Sequence, residues 1–196
     1  MKFKKIETNY KYFKLMKDVE IDGFKEEFEK NENNIIIIYP EIKYQEILGF
    51  GGAITESAGY VFSKFSEEIK EKFISDYFSE DGIGYSLARL HINSCDFSLF
   101  TYSYSENENL SDFSINHDMK YIIPLINAAK TKNNNIKFLS SPWSPPNFMK
   151  TNNNMCHGGK LKEEYKSLWS EYICKYIKEY KKQSIKIDYL TVQNEP

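Results

Sequence analysis

Ile83-Gly84-Tyr85-Ser86-Leu87-Ala88-Arg89-Leu90-His91-Ile92 decides the fold. The run is apolar on both faces with one charged residue, the pattern of a strand buried inside a parallel sheet. On its N-terminal side lies the Asp81-Gly82 turn, and before that a helix. Ser66 is placed to cap that helix, and Ile69, Phe73, Ile74, Tyr77 and Phe78 recur at threes and fours along it. Further back, Tyr44-Gln45-Glu46-Ile47-Leu48 reads as a strand running into the cluster Gly49-Phe50-Gly51-Gly52-Ala53. On the C-terminal side a polar loop extends from Asn93 to His117. Asp118 then reads as the cap of a helix carrying Ile122, Ile123, Leu125, Ile126 and Ala129. Ile136-Lys137-Phe138-Leu139-Ser140 is a strand that enters the stiff loop Ser141-Pro142-Trp143-Ser144-Pro145-Pro146. A long helix spans Lys160 to Lys182, with an apolar face of Leu161, Tyr165, Leu168, Trp169, Tyr172, Ile173, Tyr176, Ile177 and Tyr180. A last strand covers Ile187 to Gln193. Strands and helices that alternate this way imply an α/β fold, a parallel sheet flanked by helices. An open doubly wound sheet and a (β/α)8 barrel both fit. Residues 1–44 are mixed and charged and end in the β-branched run Ile35 to Tyr39, a further strand.

The composition narrows the function. Lys plus Arg is 26 and Asp plus Glu is 28, a net charge of −2, which excludes a basic nucleic-acid surface. Mean hydropathy is −0.58. The longest apolar run, Ile35 to Ile38, is far short of the about 20 residues of a membrane helix. The start, Met1-Lys2-Phe3-Lys4-Lys5, lacks a secretory apolar core, and three unpaired cysteines, Cys95, Cys156 and Cys174, suit a reducing compartment. The expectation is a cytoplasmic protein. His91, His117 and His157 share no ligand spacing, so no metal is expected. Arg89 is the only arginine among 26 basic residues. In a chain that uses Lys everywhere else, it marks a place where a planar five-donor fork is needed.

In both candidate architectures ligands bind at the carboxyl ends of the strands. The first such end, Gly49 to Glu56, is no dinucleotide loop, because the third glycine of that fingerprint would fall on Ile54. The other ends offer Asp96 and Phe97, Trp143 between prolines, and Asn194-Glu195. Carboxylates and amides bind sugar hydroxyls, and indole rings stack on sugar C–H faces. A glutamate at a strand end can act as general acid/base once burial and a second carboxylate keep it protonated near neutral pH. Each residue also has a plainer reading: Asp96 as a loop cap, Trp143 as core under a loop, Asn194-Glu195 as a solvated end.

These segments resemble glycoside hydrolase family thirty, in its glucosylceramidase-like branch. The resemblance is carried by Gly49-Phe50-Gly51-Gly52-Ala53-Ile54-Thr55-Glu56, Tyr77 to Tyr85, Asn93-Ser94-Cys95-Asp96-Phe97-Ser98 and Thr101-Tyr102-Ser103-Tyr104. It continues through Ser140 to Pro146, Lys150-Thr151-Asn152 and Thr191-Val192-Gln193-Asn194-Glu195-Pro196. It implies a (β/α)8 TIM barrel, with residues 1–44 as the N-terminal β segment of a side β-domain and residues 45–196 as the first half of the barrel. It implies retaining hydrolysis of β-glucosides or glycolipids by two glutamates, with Glu195 as the acid/base. Asn194 would hold the hydroxyl beside the reacting carbon, Asp96 and Trp143 the other hydroxyls, and Phe97 would line the pocket. Arg89 would support the site's carboxylates. His91 stands where the family commonly has Pro, and Phe148 where it commonly has Trp.

A full barrel needs about 250 residues, and this sequence supplies the first four strands. The family's nucleophile, a second Glu near the seventh strand, is missing from this chain. The isolated chain is therefore expected to be inactive, and its open edges are expected to pair with a complementary C-terminal half or with themselves. The alternatives are a non-catalytic sugar-binding or decayed fragment, or the same family acting on β-1,6-glucan or xylan. No cofactor is implied, since proton transfer and carboxylate attack suffice.

Overall fold

A computed structural model describes residues 3–12, 14–21 and 39–195. The chain divides into two compact units, Met1–Glu46 and Ile47–Pro196. In the first, β1 (Phe3–Asn9) and β2 (Lys14–Ile21) form an antiparallel pair, with Phe3 opposite Ile21 and Glu7 opposite Lys17. The strand expected over Ile35 to Tyr39 falls, apart from Tyr39, outside the described residues.

The second unit runs β3 (Gly51–Ala53), α1 (Glu56–Ser63), α2 (Glu67–Phe78), β4 (Leu87–Ile92), α3 (Ile122–Lys132), β5 (Lys137–Pro142), α4 (Lys166–Lys182) and β6 (Ile187–Leu190). The four strands are all parallel, in the order β3-β4-β5-β6, with Ala53, Arg89, Leu139 and Tyr189 in register across them. This is an arc of a (β/α)8 barrel. Ala88, Leu90, Ile92 and Phe138 pack with Ile122, Ile126, Ala129, Tyr172, Tyr176 and Tyr180 in the core between strands and helices. Leu87, Arg89, Leu139 and Tyr189 line a cavity with the β3 backbone. Among the described residues no helix is long and apolar enough to cross a membrane.

Local chemistry explains these boundaries. Ser66 Oγ accepts from the Ile69 N–H at 3.4 Å and Thr55 Oγ1 from the Ala58 N–H at 3.2 Å, so both helices after β3 start on side-chain caps. β3 is shorter than its sequence suggests. Tyr44 to Phe50 form no strand, although the Phe50 carbonyl still accepts from the Ser86 and Leu87 N–H groups at 3.0 and 3.1 Å. Gly51 lies so close to β4 that a Cβ would meet the Leu87 carbonyl oxygen at 1.7 Å, and only glycine fits. The last helix starts later than its apolar pattern: Leu161 is held in a bridge to Lys150, and a single 3-10 turn, Glu163–Tyr165, precedes α4.

Asp118 does not cap α3. It opens the 3-10 turn Asp118–Lys120, and Tyr121 at the helix start makes no side-chain cap. The Asp118 carboxylate is fully buried and accepts from Tyr102 at 2.8 Å, Tyr104 at 2.7 Å and Tyr180 at 2.6 Å. Three phenol donors in a dry interior outcompete a solvent-facing cap. Burial pushes the Asp118 carboxyl above its ordinary range, against the downward pull of the phenols.

Candidate active site

Arg89 ties three strand ends together. Its Nε donates to Ser141 Oγ at 3.1 Å and its Nη2 to Asn194 Oδ1 at 2.6 Å. Its guanidinium carbon stands 4.7 Å from the centroid of the Trp143 ring, within cation–π range. The guanidinium fork bonds in two directions at once, and its partners are a hydroxyl, an amide and an indole, not the carboxylates the sequence reading expected it to support.

The Pro142 carbonyl accepts from the Asn194 N–H at 2.9 Å, which extends the pairing of β5 with the segment after β6. Gln193 Nε2 donates to the Trp143 carbonyl at 2.9 Å and fixes the proline-flanked loop from behind. Because Asn194 Oδ1 is taken by Arg89, the Asn194 amide nitrogen is left to donate to a ligand oxygen. Glu195 follows, exposed, with a φ of 43°, a left-handed conformation that turns the chain at this point. Trp143, Asn194 and Glu195 line one cavity of about 570 Å³, together with Lys150 and Trp169.

Asp96 and Phe97 sit exposed on the turn after β4, where the Cys95 carbonyl accepts from the Ser98 N–H at 3.1 Å. Phe97 lines a different cavity of about 490 Å³, an apolar one walled by Phe62, Phe65 and Phe73. The structure thus brings Arg89, Trp143, Asn194 and Glu195 together and sets Asp96 and Phe97 on the neighbouring loop.

A layer of buried polar residues supports that loop. Glu56 accepts from the Leu99 N–H at 2.9 Å and meets His117 Nε2 at 2.6 Å. His91 accepts the Glu56 N–H at Nε2 (3.3 Å), and its Nδ1 donates to the Asn93 carbonyl at 2.6 Å. Asn93 donates to the Ser144 carbonyl at 2.9 Å and so links the loops after β4 and β5. Glu56, His117, Gln193 and Lys150 carry no role in the sequence reading. Glu56 and Lys150 lie within the segments that carry the family resemblance, but nothing in those segments signals that they are buried.

A protein-family model, the glycosyl hydrolase family 30 TIM-barrel domain, matches residues 47–196. The chain belongs to this family. It is similar to the lysosomal acid glucosylceramidase of Mus musculus, 34% identical over 171 residues that cover 83% of this chain and 33% of the relative. The crystal structure of SrfJ from Salmonella typhimurium superposes with a TM-score of 0.89 at 39% identity, over 100% of this chain and 44% of that one. The endo-β1,6-glucanase BT3312 superposes with a TM-score of 0.74 at 31% identity, over 81% of this chain and 37% of that one. The chain spans about a third of the curated family relatives it matches, 35%, 33% and 31% of the first three.

Proposed function

We propose that this chain carries the acid/base half of a retaining β-glycosidase of the glucosylceramidase type. The observation that supports the reading best is the Arg89–Asn194 hydrogen bond of 2.6 Å beside the Trp143 ring. It sets the Asn-Glu pair at the strand ends, against an indole wall. In this reading the ring of a β-glucoside lies on Trp143, and the Asn194 amide donates to the hydroxyl next to the reacting carbon. Glu195 protonates the departing oxygen and then deprotonates the water that completes the cycle. Asp96 faces solvent on the loop after β4, and Phe97 lines the separate apolar cavity.

A retaining mechanism needs a second carboxylate about 5–5.5 Å from the first. Among the described residues that line the cavity, Glu195 is the only acid. The nucleophile is therefore assigned to barrel strands beyond those described, in the same protein or in a complementary half. The isolated chain should bind methyl β-glucoside, shift the Trp143 indole resonance, and leave a fluorogenic β-glucoside uncleaved. Asn194→Ala should weaken binding about tenfold, the worth of one well-placed hydrogen bond. Turnover by the isolated chain that Glu195→Gln abolishes would overturn the assignment of the nucleophile elsewhere. A Trp143 resonance indifferent to every β-glycoside would overturn the sugar site itself.

Similarity to an endo-1,6-β-D-glucanase of Aspergillus fumigatus, 30% identical over 172 residues, supports a second reading in which the substrate is a β-1,6-glucan. Gentiobiose binding more tightly than methyl β-glucoside would favour it.

A further inference from the structure

We propose that Asn93 is a positioning residue for the Trp143 indole: it touches no ligand and sets the ring on which the sugar lies. The proposal rests on the reading of the strand-end cavity as a sugar site and names what holds that site in shape. Asn93 follows β4 directly, is fully buried and does not line the cavity. Its φ is 62°, a left-handed conformation that asparagine tolerates better than most side chains. Its side-chain amide is spent in both directions. Oδ1 accepts from the Tyr104 N–H at 3.3 Å and from the Tyr172 hydroxyl. Nδ2 donates to the Ser144 carbonyl at 2.9 Å. Only one orientation of the amide satisfies these partners. A backbone N–H can only donate and a carbonyl can only accept, so turning the amide over would set nitrogen against N–H and oxygen against carbonyl. The Tyr172 hydroxyl also accepts from the Tyr104 N–H at 2.6 Å, which directs its own proton to Asn93.

The carbonyl that Asn93 holds belongs to the residue after Trp143. The Trp143 carbonyl itself accepts from Gln193 Nε2 at 2.9 Å. Two successive carbonyls are thus gripped by amides from two different loops, those after β4 and β6, and the backbone that carries the indole is fixed on both sides. The His91 ring meets the indole edge-on, with centroids 6.3 Å apart and planes at 83°, and His91 Nδ1 donates to the Asn93 carbonyl at 2.6 Å. Arg89 covers one indole face at 4.7 Å, which leaves the other to a sugar C–H face. A ring held in one orientation before the ligand arrives costs less ordering on binding. Asparagine meets both demands of this position. Glycine accepts the φ but has no amide, and aspartate accepts the φ but turns an oxygen towards the Ser144 carbonyl.

The test measures the affinity of the 196-residue chain for methyl β-glucoside by saturation-transfer NMR, in the unaltered chain, Asn93→Gly, Trp143→Phe and the double variant. Asn93→Gly keeps the left-handed backbone and removes the grip. It should weaken binding about fivefold, the scale of one hydrogen bond. The loss should be smaller in the Trp143→Phe background, where the ring that Asn93 sets has been exchanged for a lesser one. Unchanged affinity in Asn93→Gly overturns the proposal. So does a loss undiminished by Trp143→Phe, the mark of a merely structural role. In both cases the sugar site stands. An unaltered chain that does not bind methyl β-glucoside overturns the sugar site and the proposal together. Where Asn93→Gly does not fold, the unaltered chain still decides. Its Asn93 side-chain amide resonances should shift with the Trp143 indole N–H as the sugar is added, at the same midpoint. Asn93 resonances that stay still while the indole moves overturn the proposal.

Discussion

At the scale of the residue, Arg89 performs three tasks that a lysine could only share out. It bonds Ser141 and Asn194 at once and lays a flat cation against Trp143. A lysine offers a point charge that satisfies one of these at a time. Arg89→Lys should lower stability by about 1–2 kcal/mol, the size of one lost charge-assisted hydrogen bond. It should also change the near-ultraviolet circular dichroism that Trp143 contributes. Urea unfolding with both signals recorded checks this, and an unchanged midpoint with an unchanged spectrum would remove Arg89 as the organiser of the strand ends. Arg89 was legible in the sequence because it stands alone against a lysine background. Lys150 was not: its surroundings depend on how residues 150–161 fold back, and no periodicity encodes that.

At the scale of the element, short-range rules and long-range packing part company. The start of α2 follows from Ser66 alone, and Ser66→Ala should cost about 1 kcal/mol, as exposed N-caps do. β3 follows from no local rule. Its apolar approach from Tyr44 suggests a longer strand, but only Gly51–Ala53 is strand, and there Gly51 presses against the Leu87 carbonyl. Gly51→Ala should therefore push β3 off β4 and lower stability by at least about 2 kcal/mol, in the manner of other overpacked sites. Gly158→Ala has nothing within 4 Å to clash with and carries only the strain of a φ of +73°. It should cost about 1 kcal/mol. Urea midpoints of the two variants check the order, and an equal loss would mean that β3 is not held by its backbone approach. Asp118 shows the same divide. Its position before an apolar helical stretch reads as a cap, whereas two of the tyrosines that claim it stand 16 and 14 residues earlier and the third 62 residues later.

At the scale of the whole described unit, the alternation of strands and helices was enough to place four parallel strands with their ligand-facing ends together. The anchor that joins the layers was not. Tyr102 and Tyr104 come from the loop after β4, Tyr180 from α4, and all three donate to one carboxylate beside α3. Asp118 thus fastens loop, helix and sheet at a single buried point. Asp118→Asn keeps the shape but replaces one acceptor oxygen with a donor, and at least one phenol is left unpaired, a loss of about 2 kcal/mol. The loss should depend on pH with a defined sign. Burial raises the carboxyl above its reference value of 3.8, so the folded chain binds this proton more tightly than the unfolded one. The stability this group contributes is then complete below the unfolded value and declines as pH rises through the folded value. Asparagine has no such proton. The stability gap between the unaltered chain and Asp118→Asn should be widest at acid pH and should narrow towards neutrality. Urea unfolding of both proteins from acid to neutral pH measures that gap directly. A gap that widens instead would mean that the three phenols outweigh burial and hold the carboxylate ionised in the core.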